Sequence, residues 1–174
     1  MLIKSYGLFW SAEEIDWYPG NGAKGAFRLL GRRGATAANL ELADFRGQQG
    51  IYILYGNFGP YYVGLTRKQG LGKRLKDHLE DQLAGKWDRF SWFGFCDLLR
   101  ADRTTGIRPL KALPQVQLGT PANAIGDIEA LLIKAMGLKN IKQMNFHRAQ
   151  EWTQVLEKDA SRLLDRTSPA ISRG

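Results

Sequence analysis

The clearest pattern of hydrophobic and polar positions lies in the middle of the chain. Residues 51–55 are all β-branched, aliphatic or aromatic, and a second run of such residues, interrupted by Gly64, covers 61–65 after the turn-forming residues of 56–60. Two runs joined by about five residues predict a β-hairpin. The aromatic-rich segment 90–95 predicts a third strand.

Helical periodicity follows the hairpin. Leucines recur at every fourth position from Leu71 to Leu83, which is the apolar stripe of an amphipathic helix predicted over 71–84. A second helix is predicted from Asn123 or Ala124 to about Met136, with Gly137 as its C-terminal cap. A last helix is predicted over 149–165, and the proline-rich segment 103–124 is expected to be a long connection.

The second helix carries a carboxylate in an unusual place. At about 100° per residue, Glu129 falls among apolar side chains, which predicts that it lies on the buried face of the helix. The neighbours on that face are Ile125, Ile128, Leu132, Ile133 and Met136. A buried carboxylate needs a cation, either a lysine or arginine in a salt bridge or a metal ion.

These elements predict an α+β fold with a small three-stranded, mixed or antiparallel sheet flanked by helices. Residues 1–48 read differently, with tryptophans, tyrosine and turn signals that predict a small β-rich N-terminal extension. We therefore expect an extension over 1–48 whose basic stretch is either a linker or an arm that contacts nucleic acid, one domain over 49–165, and a flexible tail over 166–174.

Composition narrows the choice of partner and metal. The formal net charge of +8 favours an anionic partner such as nucleic acid, with a membrane surface as the main rival. No apolar run approaches the ~18 residues of a spanning helix and no export signal is evident, so we expect a cytoplasmic protein. With a single cysteine and two histidines, any metal must be held by oxygen.

Four residues of the central segment carry usable chemistry. Arg74 and His78 are four apart and stack on one helix face, where an arginine suits phosphate oxygens and a histidine moves protons near neutral pH. Tyr52 and Tyr62 lie in the two hairpin strands. Both sets also have an ordinary explanation. An arginine and a histidine four residues apart are common on helix surfaces, and tyrosines in strands commonly pack in the sheet.

The order of these residues resembles the GIY-YIG nuclease superfamily. The match covers roughly residues 49–147, with valine in place of isoleucine in the second motif and a proline-rich insertion before the glutamate. The matching positions are Gly50, Ile51 and Tyr52, then Tyr62, Val63 and Gly64, followed by Arg74, His78, Glu129 and Asn145. The resemblance implies the GIY-YIG fold and a metal-dependent endonuclease that hydrolyses phosphodiester bonds, most simply those of double-stranded DNA.

The resemblance also implies roles for these residues. Glu129 would hold one Mg²⁺ or Mn²⁺ ion, Arg74 would bind a non-bridging phosphate oxygen, and Tyr52 would be the general base. Tyr62 would bind or orient the substrate. Asn145 would brace the site by hydrogen bonds, or be an ordinary turn residue.

A phenol with a pKa near 10 needs help to act as a base at neutral pH. Either His78 or Lys76 could supply it, by taking the proton or by lowering the pKa, and the sequence leaves that choice open. The residues expected to contact the nucleic acid backbone are Lys68, Lys73, Lys76, Arg32 and Arg33.

Two alternatives remain beside a repair or restriction nuclease. The first is a catalytically inactive module on the same fold that binds nucleic acid. The second is a toxin-like or phage-defence DNase. The oligomeric state is not fixed by any feature of the sequence.

Overall fold

The computed structural model describes residues 2–20, 27–66, 69–111, 121–136, 146 and 149–167. Side chains at 121–126, 129 and 167 are excluded from that description. The strands and helices, in chain order, are β1 (Ser5–Ser11), β2 (Leu30–Arg33), β3 (Glu41–Asp44), β4 (Gly50–Gly56), β5 (Gly59–Thr66), α1 (Leu71–Asp77), β6 (Arg89–Gly94), β7 (Ile107–Arg108), α2 (Pro121–Ala135), β8 (Gln150–Glu151), β9 (Thr153–Gln154) and α3 (Glu157–Thr167).

The α+β class is confirmed, but the prediction of one three-stranded sheet is wrong. A five-stranded sheet has the order β5-β4-β6-β1-β8, and a four-stranded sheet has the order β7-β3-β2-β9. The predicted hairpin and third strand form the β5-β4-β6 part of the larger sheet. That sheet is larger because β1 pairs antiparallel with β6 and so covers an edge that would otherwise expose unpaired backbone groups.

The N-terminal segment therefore contributes to the same sheet as the hairpin. Ser5 is paired with Gly94, and Trp10 with Phe90 across a β-bulge. The division of the chain at residue 48 stays a prediction. The predicted tail begins inside α3, and residues 168–174 lie outside the described part of the chain.

The helix bounds differ from their predictions at several ends. Helix α1 ends at Asp77, and turns held by backbone hydrogen bonds continue towards residue 84. Helix α2 begins at Pro121, a residue that fits the first helical turn because its missing N–H has no partner there. The helix predicted over 149–165 begins only at Glu157, because 150–154 forms β8 and β9 at the edges of the two sheets.

The two faces of the five-stranded sheet are covered by different helices. On one face, Tyr52 and Leu54 of β4 pack in the same cluster as Leu71 and Leu75 of α1. We call this the α1 face. Because strand side chains alternate, the next residues along β4 point the other way.

The opposite face of the sheet, the α2 face, packs against α2. Ile53 and Tyr55 of β4 and Phe93 of β6 form a cluster there with Ala130 and Ala135 of the helix. Among the described residues, no helix is long and apolar enough to cross a membrane.

The prediction of which face of α2 is buried is wrong. Ile128, Leu132 and Met136 are 59%, 52% and 58% exposed, while Ala130 and Ala135 are buried against the sheet. The helix approaches through these small side chains, which brings its backbone close to the sheet.

Backbone contact on the α2 face shows how close the approach is. The Tyr55 hydroxyl donates a hydrogen bond to the carbonyl of Ala135 at 2.6 Å. Asp127, also buried, accepts a hydrogen bond from the backbone N–H of Leu2. Since the Glu129 side chain is not described, its burial stays a prediction.

Candidate active site

The two motif tyrosines lie on neighbouring strands of the α1 face. Tyr52 is fully buried in the central strand β4, and Tyr62 is half-buried in the edge strand β5. Their ring centroids are 6.1 Å apart. The hairpin therefore places both phenols on one side of the sheet, as their even spacing along paired strands requires.

The glycine of the second motif makes room for Tyr52. Gly64 is paired directly opposite Tyr52, and a Cβ added at Gly64 would lie 2.2 Å from both Cζ and Oη of the tyrosine. Any side chain at this position would displace the phenol. The glycine therefore has a steric role beyond that of a strand residue.

The glycine of the first motif is also required by a close approach within the sheet. Gly50 adopts φ of +154°, and a Cβ there would lie 2.0 Å from the carbonyl oxygen of Phe93 in β6. Only a residue without a side chain allows β4 and β6 to begin pairing at this point. The two short motifs are thus explained by two close approaches within the sheet.

His78 links the helix to the buried phenol. It caps the C-terminus of α1, is only 3% exposed, and its Nε2 lies 2.7 Å from the hydroxyl oxygen of Tyr52. The backbone carbonyl of His78 accepts a hydrogen bond from Trp87 Nε1 at 3.2 Å. His78 is thereby held by its backbone as well as by its ring.

The other ring nitrogen of His78 contacts a carboxylate. Its Nδ1 lies 2.7 Å from Oδ2 of Asp81, whose Oδ1 accepts a hydrogen bond from the N–H of Leu83. That backbone hydrogen bond, followed by the one with His78, lowers the pKa of Asp81. The carboxyl group is therefore ionised at neutral pH.

Sequence reasoning did not single out Asp81. The available signal was its position three residues after His78, a spacing that brings two side chains together on a helical turn. It was missed because acidic residues at such spacings are common on solvated surfaces.

Arg74 completes the group one turn before His78. Its guanidinium is near enough to Tyr52 that its positive charge lowers the pKa of the phenol. Burial has the larger, opposite effect, and the pKa of Tyr52 is raised to about 12. At neutral pH only about one phenol in 10⁵ would be ionised, so Tyr52 alone is a poor base.

The predicted backbone-contacting cations have varied surroundings. Lys76 donates to the carbonyl of Trp17 at 2.9 Å and lies 4.1 Å from the Tyr18 ring centroid, so it binds the N-terminal segment. Lys73 pairs with Asp77 at 3.0 Å.

The arginines of β2 have partners within the four-stranded sheet. Arg33 pairs with Glu41 at 2.6 Å, and Arg32 donates to the carbonyl of Gly34 at 3.3 Å. Pairing with a carboxylate reduces the attraction of Arg33 for phosphate. Lys68 lies outside the described residues, and nucleic acid contact by this set stays a prediction.

The predicted site has two further members, Asn145 and Glu129. Asn145 lies outside the described residues, as does the side chain of Glu129. The backbone of Glu129 belongs to α2, which packs on the α2 face, whereas Tyr52 lies on the α1 face. The meeting of Glu129 with the tyrosines therefore stays a prediction.

The described side chains do not by themselves fit a Mg²⁺ site. Within the described part of the chain, no three histidine, cysteine, aspartate or glutamate side chains come together. Both nitrogens of His78 and both carboxylate oxygens of Asp81 already have protein partners. A metal at this site would need Glu129 or water and phosphate oxygens.

Comparison with known proteins adds no relative: no family model matches the chain, and no curated protein or solved structure is similar to it. The chemistry open to the site therefore follows from its own geometry. That geometry is a buried phenol hydrogen-bonded to an imidazole, beside a guanidinium and a second phenol.

Proposed function

We propose that this protein is a metal-dependent endonuclease that hydrolyses the phosphodiester bonds of nucleic acid, with duplex DNA in the cytoplasm as its substrate. The observation that carries the proposal is the hydrogen bond between Tyr52 and His78, with Arg74 and Tyr62 beside it. These four residues are separated along the sequence, yet their side chains lie together on the α1 face.

The hydrogen bond supplies the base that Tyr52 lacks alone. The Tyr52 O–H bond breaks as its proton moves to Nε2 of His78, and the phenolate takes a proton from the attacking water. The hydroxide forms a bond to phosphorus while the bond from phosphorus to the 3′ oxygen breaks. The leaving 3′ oxygen takes a proton from solvent, and the proton held by His78 returns through its hydrogen bond to Tyr52, which gives up a proton in turn to solvent, so that the reaction balances.

Arg74 is suited to stabilise charge at this point. Its positive charge favours the phenolate form of Tyr52 and can pair with a non-bridging oxygen of the phosphate. Tyr62, whose ring lies 5.3 Å from that of His78, closes the other side of the group. Its hydroxyl is proposed to bind or orient the phosphate.

The metal requirement rests on the sequence match at Glu129. A hard divalent cation bound there would neutralise charge on the phosphate. The described side chains do not complete such a site by themselves. The proposal is that Mg²⁺ or Mn²⁺ is required and that Glu129 contributes to its binding.

The direct test is cleavage of supercoiled plasmid with Mg²⁺ or Mn²⁺. Nicking or linearisation that disappears with EDTA and with Glu129→Ala would support the nuclease and its metal ligand. Tyr52→Phe should also lower cleavage by about 10²–10⁴, whereas Tyr55→Phe, the matched change on the α2 face, should not lower it. Cleavage by the wild type that persists in EDTA would contradict the metal requirement.

One observation favours a second function. The backbone of Glu129 belongs to a helix on the face opposite Tyr52, so the second function is that of a module that binds nucleic acid without cutting it, using its net charge of +8. Salt-sensitive plasmid binding without cleavage under any metal would establish that function and would overturn the nuclease proposal.

A further inference from the structure

We propose that Asp81 is a positioning residue that fixes the tautomer of His78, so that Nε2 of the imidazole is left to accept the proton of Tyr52. The catalytic consequence rests on the proposed nuclease function. The tautomer itself does not, and it can be measured separately.

Two short hydrogen bonds in series carry the inference. The Tyr52 hydroxyl lies 2.7 Å from Nε2 of His78, and Nδ1 of the same ring lies 2.7 Å from Oδ2 of Asp81. A neutral imidazole has one N–H donor and one acceptor nitrogen. An ionised carboxylate can only accept, so the proton is on Nδ1 and Nε2 is the acceptor.

Burial makes this arrangement selective. The His78 side chain is 4% exposed, so water does not offer its ring alternative partners, whereas the Asp81 side chain is 40% exposed. The carboxylate can therefore stay ionised while it holds a buried ring. The same division of roles is found where a carboxylate orients the histidine of a nucleophile–histidine–carboxylate triad.

The fold holds Asp81 in place by its backbone and by its second oxygen. The N–H of Asp81 donates to the carbonyl of Asp77 at 3.1 Å, which extends the turn after α1. Oδ1 accepts the N–H of Leu83 at 2.7 Å, so only Oδ2 is directed at His78. One carboxylate oxygen organises the loop and the other orients the ring.

The charges around His78 agree with proton transfer towards it. Arg74 and Tyr62 lie beside Tyr52, and Asp81 is the anion that contacts the imidazole. When the proton arrives at Nε2, the resulting imidazolium has a carboxylate partner at Nδ1. Asp81 therefore stays a hydrogen-bond partner of the ring before and after the proton arrives.

The sharpest variant is Asp81→Asn. Its single amide oxygen can keep the hydrogen bond from Leu83, and its NH₂ group then faces Nδ1 as a donor. The imidazole must then carry its proton on Nε2, where it can no longer accept from Tyr52. The matched control is Asp88→Asn, which removes the same charge from an exposed position outside the site.

Nitrogen-15 NMR of histidine-labelled protein measures the tautomer directly. The chain has two histidines, so His147→Asn leaves a single ring to observe. We expect the wild type and Asp88→Asn to have the proton on Nδ1, and Asp81→Asn to have it on Nε2. A proton on Nε2 in the wild type, or the same tautomer in both variants, would overturn the proposal.

Cleavage kinetics then test the consequence. Asp81→Asn should lower kcat by about 10²–10⁴ with little change in KM, as loss of a general base does, while Asp88→Asn keeps wild-type kcat. An unchanged kcat in Asp81→Asn, despite the altered tautomer, would refute the positioning role. If the wild type does not cut nucleic acid at all, the proposed function fails, and the NMR result still decides how Asp81 sets the tautomer.

Discussion

The two faces of the five-stranded sheet use two tyrosines of β4, three residues apart, for different purposes. On the α1 face, Tyr52 is buried but hydrogen-bonded to the side chain of His78. On the α2 face, Tyr55 is buried and hydrogen-bonded to the backbone of Ala135. One phenol has a titratable partner and the other has a structural one.

This difference shows where chemistry can arise in the fold. Burial disfavours ionisation of both phenols and raises the pKa of each, yet only Tyr52 also has a guanidinium nearby and a nitrogen able to take its proton. A buried tyrosine is thus ordinary packing on one face and a candidate base on the other. The partners, and not the residue type, make the distinction.

The largest expected effect follows from exchanging each phenol for phenylalanine. Tyr52→Phe should lower cleavage by about 10²–10⁴, because the proton path to His78 is lost while the ring still fills the core. Tyr55→Phe should leave cleavage unchanged and cost about 0.5–1.5 kcal/mol of unfolding free energy through its lost hydrogen bond. Plasmid cleavage rates and urea unfolding of both variants check this, and equal activity losses would remove the distinction between the faces.

The next largest effect is on the free energy of unfolding, when one leucine of α1 and one of α2 are each replaced by alanine. Leu75 of α1 is fully buried, and Leu75→Ala should cost about 2–5 kcal/mol through a cavity in the core. Leu132 of α2 is 52% exposed, and Leu132→Ala should change the unfolding free energy by no more than about 0.5 kcal/mol. Urea unfolding with an unchanged slope measures both, and a large loss at Leu132 would show that this side of α2 is covered.

The same two leucines show what the sequence could and could not predict. The leucine stripe of α1 packs inward as its spacing predicts, since large apolar residues on one face usually meet the core. In α2 the small residues Ala130 and Ala135 face the sheet instead, so residue size misled the projection. Periodicity gives the stripes of a helix, but the partner surface decides which stripe is buried.

Long-range pairing limited the prediction of the sheets and of the site. The hairpin was confirmed because its pairing is local and its turn residues are explicit. The pairing of Ser5 with Gly94 joins distant segments, and no local pattern specifies it. Asp81 was missed for a related reason, since its role depends on the burial of His78, which only the packed structure reveals.

A smaller loss of stability is expected at Gly64 of β5, with its neighbour Val63 as the control. Gly64→Ala should cost about 1–3 kcal/mol and reduce cleavage, because the added Cβ lies 2.2 Å from the Tyr52 hydroxyl and displaces it. Val63 is exposed on the other side of the strand, so Val63→Ala should have little effect on either property. Thermal unfolding and cleavage rates distinguish the two, and an active Gly64→Ala enzyme would contradict the placement of the phenol.

The smallest expected effect is a pH dependence of the free energy of unfolding, caused by Asp81 beside the α1 face. The pKa of Asp81 is lowered in the folded protein, first by the N–H of Leu83 and then by His78, so its ionised form stabilises the fold. That contribution is present above the unfolded pKa of about 3.9 and is lost as pH falls through the lower, folded value. Wild type should therefore unfold less readily than Asp81→Asn near neutral pH, and the difference should narrow in acid. Urea unfolding of both proteins across this range measures the change, with Asp88→Asn expected to follow the wild type, and a difference that widens in acid would mean that Asp81 is not held as an ionised partner of His78.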